Sequence, residues 1–141
     1  MPEKKLELSQ YRLSQSAEDL QGAEKNLAIG EFKIASNRAY YSVFHAMRAI
    51  LALDGVDFKK HSGVISYFRE NYIKSDIFET KYSKIITSAS LVRNKCDYED
   101  FYTATKEEAE EQIANAREFL KAVTLHIDHT NRQRVSMSWD C

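Results

Sequence analysis

The 141-residue sequence contains very little proline and glycine, with one Pro and four Gly. These residues form most tight turns, so their scarcity excludes a β-sandwich with many turns and favours long helices. The length favours a single domain with one core. Only two cysteines are present, Cys96 and Cys141. No disulfide framework is therefore indicated, and a reducing cytoplasm is the simpler compartment.

Long apolar runs and a large excess of one charge are also missing. The longest apolar region, 43–53, is interrupted by His45 and Arg48 and is too short and too polar to span a bilayer. The N-terminus leads into no apolar segment of the kind that a signal peptide needs. The net charge of −1 argues against a general basic nucleic-acid binder but not against a local basic site. We therefore expect a cytoplasmic protein that does not associate with membranes.

Apolar residues recur at helical spacing in five parts of the chain, and no strand pattern is present. The predicted helices span about 8–29, 32–53, 62–73, 77–96 and 105–128. The last begins with Thr105-Lys106-Glu107-Glu108, which has the form of a capping box. The pattern predicts an all-α fold, an antiparallel up-and-down bundle of about five helices. It places the domain at residues 1–128 and a flexible C-terminal tail at residues 129–141.

The segment from Arg93 to Tyr98 combines several polar groups at the end of the fourth predicted helix. An arginine offers a fork of donors that matches phosphate oxygens and stays charged at any working pH. RNA cleavage without a metal needs such a cation for the phosphorane, together with groups that move protons. The same spacing also fits an ion pair between Arg93 and Asp97, four residues apart on one helix. Spacing by itself favours the ion pair.

The second predicted helix carries a polar arc opposite its apolar face. The arc consists of Asn37, Arg38, Tyr41, Ser42, His45 and Arg48. Two arginines and a histidine on one arc could receive an anion or form a subunit interface. The same pattern is also typical of a solvated face of an amphipathic helix.

Two further polar segments follow. The turn from Lys59 through Lys60 and His61 to Gly63 is basic and enters the third helix. It fits either a phosphate contact at a helix N-terminus or an ordinary capped loop. The segment 126–129 contains two histidines and an aspartate but lacks further ligands, so we predict no metal site and no cofactor.

These segments together resemble small prokaryotic HEPN-domain proteins. The stretch 37–49, Asn-Arg-Ala-Tyr-Tyr-Ser-Val-Phe-His-Ala-Met-Arg-Ala, is similar to the second helix of that family. The segment 61–65 is similar to the start of its next helix. Arg93-Asn94 with Asp97-Tyr98 stands where the family has its signature motif. The resemblance covers about residues 8–128.

The resemblance implies a helical homodimer. In catalytic members, an arginine, a polar residue and a histidine four to six residues after the arginine form a metal-independent endoribonuclease site, which dimerisation duplicates around one cleft. Many members are toxins that pair with a small nucleotidyltransferase-type antitoxin. Here Arg93 matches the motif arginine and Asn94 the polar residue. Tyr98 and Asp100 occupy the positions where the histidine would stand. The chain thus resembles the branch whose motif ends in Asp-Tyr.

Three hypotheses follow from the sequence. The favoured one is an RNA- or nucleotide-binding dimer, with ribonuclease activity left open. Its catalytic candidates are Arg93, Asn94, Asp97 and Tyr98, with Arg93 on the phosphorane, Asn94 orienting the phosphate and Tyr98 donating a proton. Its candidates for binding the nucleic acid or nucleotide are Arg38, Tyr41, His45, Arg48, Lys60 and His61. The second hypothesis is a non-catalytic module that binds a nucleotide or partner, and the third is a structural adaptor.

Overall fold

A computed structural model describes residues 2–139, which form five α-helices and no strand. The helices are α1 (Pro2–Ala28), α2 (Phe32–Asp54), α3 (His61–Phe68), α4 (Lys81–Tyr98) and α5 (Lys106–Trp139). One π-helical turn, Arg69–Ile73, continues α3. The predicted helical bundle is therefore confirmed. None of these helices is long and apolar enough to cross a membrane.

Helix α2 lies at the centre of the bundle and packs against the other four helices. Its sequence requires this position, because apolar residues cover most of its circumference and must be buried on several sides. Met47, Ile50 and Leu51 of α2 are completely buried, as are Phe68 of α3 and Phe119 of α5. The central position matters for function because side chains on different sides of α2 reach different neighbouring helices.

Helix α2 ends at a left-handed glycine. Gly55 has φ 73°, and its amide donates to the carbonyls of Ala52 and Leu51. Glycine adopts this conformation without the steric cost that a Cβ brings, so the chain can leave the helix within one residue. The following segment, 55–60, then leads directly into His61, the first residue of α3.

The fifth helix is longer than the sequence indicates. The apolar periodicity stops near residue 128, which predicts a tail, yet α5 continues to Trp139. The predicted helix end was therefore wrong. Residues 129–139 contain no proline or glycine, and without such a breaker the backbone hydrogen bonds of a long helix can continue past the packed region. Residues 140 and 141 of the predicted tail, including Cys141, lie outside the described residues.

The start of α5 has one of the two hydrogen bonds of the predicted capping box. The Thr105 hydroxyl accepts a hydrogen bond from the Glu108 amide at 3.1 Å. The second hydrogen bond of a capping box, from the Thr105 amide to the Glu108 carboxylate, is not made among the described residues. This carboxylate instead accepts a hydrogen bond from the Tyr102 hydroxyl. This carboxylate therefore ties the connector between α4 and α5 to the helix start.

Replacing Thr105 by alanine should lower the free energy of unfolding by about 1 kcal/mol, because one amide of the first turn loses its acceptor. Urea denaturation measures this difference. Thr103→Ala is the matched control, since Thr103 is exposed and lies before the helix. Equal destabilisation by the two substitutions would contradict the role of Thr105 as a cap.

Candidate functional site

Arg93 lies on α4 against two tyrosine rings of α2. Its guanidinium carbon is 5.0 Å from the Tyr40 ring centroid and 5.7 Å from the Tyr41 ring centroid, distances typical of cation–π contacts. Its Nη2 donates to the Tyr41 hydroxyl at 3.5 Å, a long hydrogen bond. The rings hold the guanidinium at the edge of the core while 21% of the side chain stays exposed.

The predicted ion pair between Arg93 and Asp97 is present. Arg93 Nε lies 3.3 Å from Asp97 Oδ2, but this nitrogen makes no hydrogen bond of good geometry within residues 2–139. The other carboxylate oxygen, Oδ1, accepts a hydrogen bond from Asn37 Nδ2 on α2 at 3.0 Å. Asp97 therefore links α2 to α4. Among the described groups, only one of the five N–H donors of Arg93 makes a hydrogen bond.

His61, the first residue of α3, contacts the same Tyr40 side chain through its hydroxyl. Its Nδ1 is 2.8 Å from the Tyr40 hydroxyl, and which group donates depends on the tautomer of the imidazole. The ring stacks on Phe44 with 4.0 Å between centroids and meets the edge of Tyr41 at 5.9 Å. The five residues Arg93, Tyr40, Tyr41, Phe44 and His61 form what we call the Arg93–His61 cluster.

The cluster favours a neutral imidazole beside a cation. Burial lowers the pKa of His61, and the positive charges of Arg93 and Arg48 lower it further. Burial also raises the pKa of Tyr40 to about 12, against the opposing effect of Arg93. At neutral pH the site thus contains a protonated phenol in contact with both a guanidinium and a neutral imidazole.

Arg38 and His45 turn towards α1. Arg38 Nη1 donates to Asp19 Oδ1 at 3.2 Å, and His45 Nε2 lies 3.6 Å from Asp19 Oδ2. The Arg38 guanidinium also stays 5.0 Å from the Tyr41 ring centroid. Ser42, from the same polar arc, is buried against Ser16. The arc is therefore partly packed against α1, while the Arg38 side chain stays 41% exposed.

Arg48 belongs to a separate arrangement at the end of α2. Asp57 Oδ2 accepts from Arg48 Nη2 and from Arg12 Nη2, each at 3.1 Å. Arg12 is almost completely buried and also donates to the Arg48 carbonyl. Lys60 is exposed and precedes His61 at the start of α3. Asp57 therefore fixes two arginines beside the basic turn.

Asn94 and Tyr98 stand apart from the cluster within this chain. Both are exposed, Tyr98 to 73%, and neither side chain makes a hydrogen bond among residues 2–139. Tyr98 follows Arg93 by five residues, so its side chain leaves the helix on a different face. The structure thus brings Arg93 together with Asp97, Tyr41 and His61, and not with Tyr98.

The sequence interpretation missed Tyr40, Phe44 and Asp57 as parts of the site. Tyr40 and Phe44 are buried core residues, yet both also contact His61. The only available signal was the Tyr40-Tyr41 pair, whose adjacent rings leave a helix about 100° apart and can flank a residue from a neighbouring helix.

The profile of the HEPN domain matches residues 9–127. The chain belongs to the HEPN family. It is 43% identical over 70 residues to UPF0332 protein PH1297 of Pyrococcus horikoshii, a match that covers 50% of this chain and about half, 49%, of that protein. It is 31% identical over 121 residues to a Methanocaldococcus jannaschii protein named "Putative toxin MJ0142", covering 85% of this chain and 82% of that one.

A solved structure supports the same fold for this HEPN domain. TT1696 from Thermus thermophilus superposes with a TM-score of 0.71 at 18% identity, covering 82% of this chain and 95% of that chain. At this identity the likeness concerns the fold alone. The predicted resemblance to small HEPN-domain proteins is thus confirmed, while the roles of the individual residues stay predictions.

The lowered pKa values of three histidines predict that this HEPN domain loses stability in acid. Burial lowers the pKa of His45 from 6.5 to about 4, helped by the charges of Arg48, Arg12 and Arg38. Burial also lowers the pKa values of His61 and His126. Between the folded and unfolded pKa values the unfolded chain binds more protons. The contribution of these histidines to the free energy of unfolding should therefore be fully present above pH 6.5 and should be lost as the pH drops towards 4.

Urea denaturation between pH 4.5 and 7.5 measures this effect. His45→Gln should flatten the decline, because glutamine cannot take up the proton that favours unfolding. His129→Gln is the control, since His129 is exposed. A steep decline that His45→Gln leaves unchanged would contradict the contribution of His45.

Proposed function

We propose that this HEPN protein binds RNA and cleaves it without a metal ion, as a cytoplasmic toxin of a toxin–antitoxin pair. The observation that supports this most strongly is the state of Arg93. It is held in place by two tyrosine rings, stays partly exposed, and makes one long hydrogen bond, to Tyr41, beside its ion pair with Asp97. A guanidinium in this state can grip a phosphodiester without first breaking a saturated hydrogen-bond network.

The proposed chemistry is an internal transesterification. His61 takes the proton of a ribose 2′-hydroxyl, whose oxygen attacks the adjacent phosphorus. Arg93 stabilises the charge of the phosphorane, and the bond to the 5′-oxygen breaks as that oxygen gains a proton. The products are a 2′,3′-cyclic phosphate and a 5′-hydroxyl end. His61 thereby supplies the imidazole that is missing at positions 98 and 100.

A homodimer completes this proposal. Asn94 and Tyr98 are exposed at the end of α4, so an interface that joins the α4 helices of two protomers would bring them towards the other protomer's cluster. There Asn94 would orient the phosphate and Tyr98 would protonate the leaving oxygen. The proposed antitoxin is a small nucleotidyltransferase, as the HEPN family suggests, and the name of the Methanocaldococcus relative supports the toxin assignment.

A non-catalytic function is the second candidate, in which the dimer binds a nucleotide or a partner protein. The ion pair between Arg93 and Asp97 favours it, because a paired arginine contributes less to a developing charge. The absence of a histidine at positions 98 and 100 also favours it.

The decisive experiment uses purified protein in EDTA with a short single-stranded RNA. We expect cleavage to ends that carry a 2′,3′-cyclic phosphate, and no cleavage of the same sequence made with 2′-O-methyl riboses. Binding of the RNA without cleavage would favour the second candidate. Cleavage of the 2′-O-methyl RNA would exclude the proposed chemistry.

A further inference from the structure

Asn37 of α2 makes a hydrogen bond to the carboxylate that pairs with Arg93. Its Nδ2 donates to Asp97 Oδ1 at 3.0 Å, across 60 positions of the chain. The orientation of the amide follows from chemistry, because a carboxylate accepts hydrogen bonds and must therefore face the NH₂ group. The carbonyl oxygen of the same amide is buried and has no hydrogen-bond partner among the described residues. The Asn37 side chain therefore makes its hydrogen bond through the donor group alone.

The stability of the fold does not by itself explain an asparagine at this position. A buried oxygen without a partner opposes folding, since it loses its hydrogen bonds to water and gains none in the protein. Alanine at position 37 would avoid this penalty and has the higher helix propensity. The hydrogen bond of Asn37 goes instead to a carboxylate that also lies beside Arg93. This contact connects Asn37 to the Arg93–His61 cluster.

The ion pair between Arg93 and Asp97 is incomplete because Asn37 occupies one of the carboxylate oxygens. A strong arginine–carboxylate pair has two parallel N–H···O bonds and uses both oxygens. Here Arg93 Nε lies 3.3 Å from Asp97 Oδ2 without good hydrogen-bond geometry, whereas Oδ1 accepts from Asn37. The guanidinium packs on the rings of Tyr40 and Tyr41. Its donors are therefore not saturated by the neighbouring carboxylate.

The surroundings of Asp97 leave space for the complete pair. A cleft of about 280 Å³ borders the side chains of Asn37 and Asp97, and the Asp97 side chain is 28% exposed. Asp97 follows Arg93 by four residues, the spacing at which two side chains meet on one helix. Without the hydrogen bond from Asn37, the carboxylate could rotate and bring both oxygens to the guanidinium.

We propose that Asn37 is a positioning residue that holds Asp97 out of a bidentate pair with Arg93, so that the donors of Arg93 stay available to a phosphate. Asn37 itself does not touch the phosphate and acts through Asp97. The consequence for RNA cleavage rests on the proposed function, whereas the restraint on Asp97 does not. The two parts can therefore be measured separately.

The first test measures the coupling between Arg93 and Asp97 without RNA. Urea denaturation of the wild type, Arg93→Ala, Asp97→Ala and the double variant gives this coupling as a double-mutant cycle. The cycle is then repeated with Asn37→Ala present in all four proteins. We expect the coupling to increase by roughly threefold in the equilibrium constant of unfolding, because a bidentate pair replaces a poorly aligned one.

Asn71→Ala is the matched control for this cycle. Asn71 Nδ2 also donates at 3.0 Å, but to the Tyr67 carbonyl. Its replacement should leave the coupling between Arg93 and Asp97 unchanged.

The second test measures the cleavage of a short RNA in EDTA with enzyme in excess. Asn37→Ala should lower the rate by roughly tenfold, less than Arg93→Ala, because the guanidinium is redirected and not removed. Asn37→Gln keeps a donor amide and should recover part of this loss. When Asp97 is already alanine, Asn37→Ala should have no further effect, since no carboxylate is left to restrain.

Two results would overturn this inference. One is a coupling between Arg93 and Asp97 that Asn37→Ala leaves unchanged or weakens. The other is a loss of cleavage that Asn37→Ala causes equally with and without Asp97, or that Asn71→Ala reproduces. A wild-type protein that cleaves no RNA would contradict the proposed function. The coupling measured without RNA would then decide whether Asn37 restrains Asp97.

Discussion

Replacing Arg93 by alanine is expected to lower the single-turnover rate of RNA cleavage by about 10²- to 10³-fold, the usual loss when one preorganised donor to a developing oxyanion is removed. The physical reason lies in the position of the guanidinium. The rings of Tyr40 and Tyr41 fix it before RNA arrives, so little reorganisation is needed when charge develops on the phosphorane. The measurement is the cleavage of a short labelled RNA in EDTA, with enzyme in excess.

Two further variants make this result specific. Arg93→Lys keeps the charge but loses the fork of donors, and should recover only part of the rate. Arg117→Ala removes another arginine, whose side chain is 59% exposed and which pairs with Glu24, and should leave the rate unchanged. Folding should survive the Arg93 change, because Asp97 keeps its hydrogen bond from Asn37. A folded Arg93→Ala protein that cleaves at the wild-type rate would refute the proposed site.

Replacing His61 by glutamine should have an effect of similar size, about 10²- to 10⁴-fold on the same rate, as expected for the loss of a general base. Glutamine is polar and of similar size but cannot take up a proton near neutral pH. In the wild-type protein, burial and two arginines lower the pKa of His61. Cleavage should therefore rise with pH through a midpoint below 6.5 and stay high at pH 7.

The control variant is His129→Gln, which removes an exposed histidine of α5. It should leave the RNA cleavage rate and its dependence on pH unchanged. If the cleavage rate of His61→Gln still fell at low pH with the same midpoint, the titrating group would be a residue other than His61. Full activity of His61→Gln would show that the imidazole next to Arg93 is structural, and would favour the non-catalytic candidate.

The sequence predicted the five helices well because their core positions repeat over several turns. Its errors lie at helix ends, where few residues determine the outcome. Helix α1 begins at Pro2 and not near Leu8, and α4 begins at Lys81 and not near Ile77. The helix end predicted near residue 128 rested on the loss of an apolar face, but a helix needs such a face for packing and not for its own hydrogen bonds. The flexibility of residues 129–141 stays a prediction.

The candidate site was predictable only in part. Arg93 and Asp97 lie four residues apart on one helix, so their ion pair follows from local geometry. His61 lies 32 positions before Arg93, and its place beside Tyr40 depends on how α2, α3 and α4 pack. The position of Asp57 between Arg12 and Arg48 likewise depends on the turn after Gly55. Such contacts between helices have no periodic signal in one sequence.

The central claim is that Arg93 and His61 act on the same phosphate, and a double-mutant cycle on the RNA cleavage rate tests it most directly. The rates of the wild type, Arg93→Ala, His61→Gln and the double variant would be measured in EDTA with one RNA. Residues that act as a unit are strongly non-additive. We predict that the double variant cleaves at nearly the rate of the slower single variant. A double variant whose loss equals the product of the two single losses would contradict the claim.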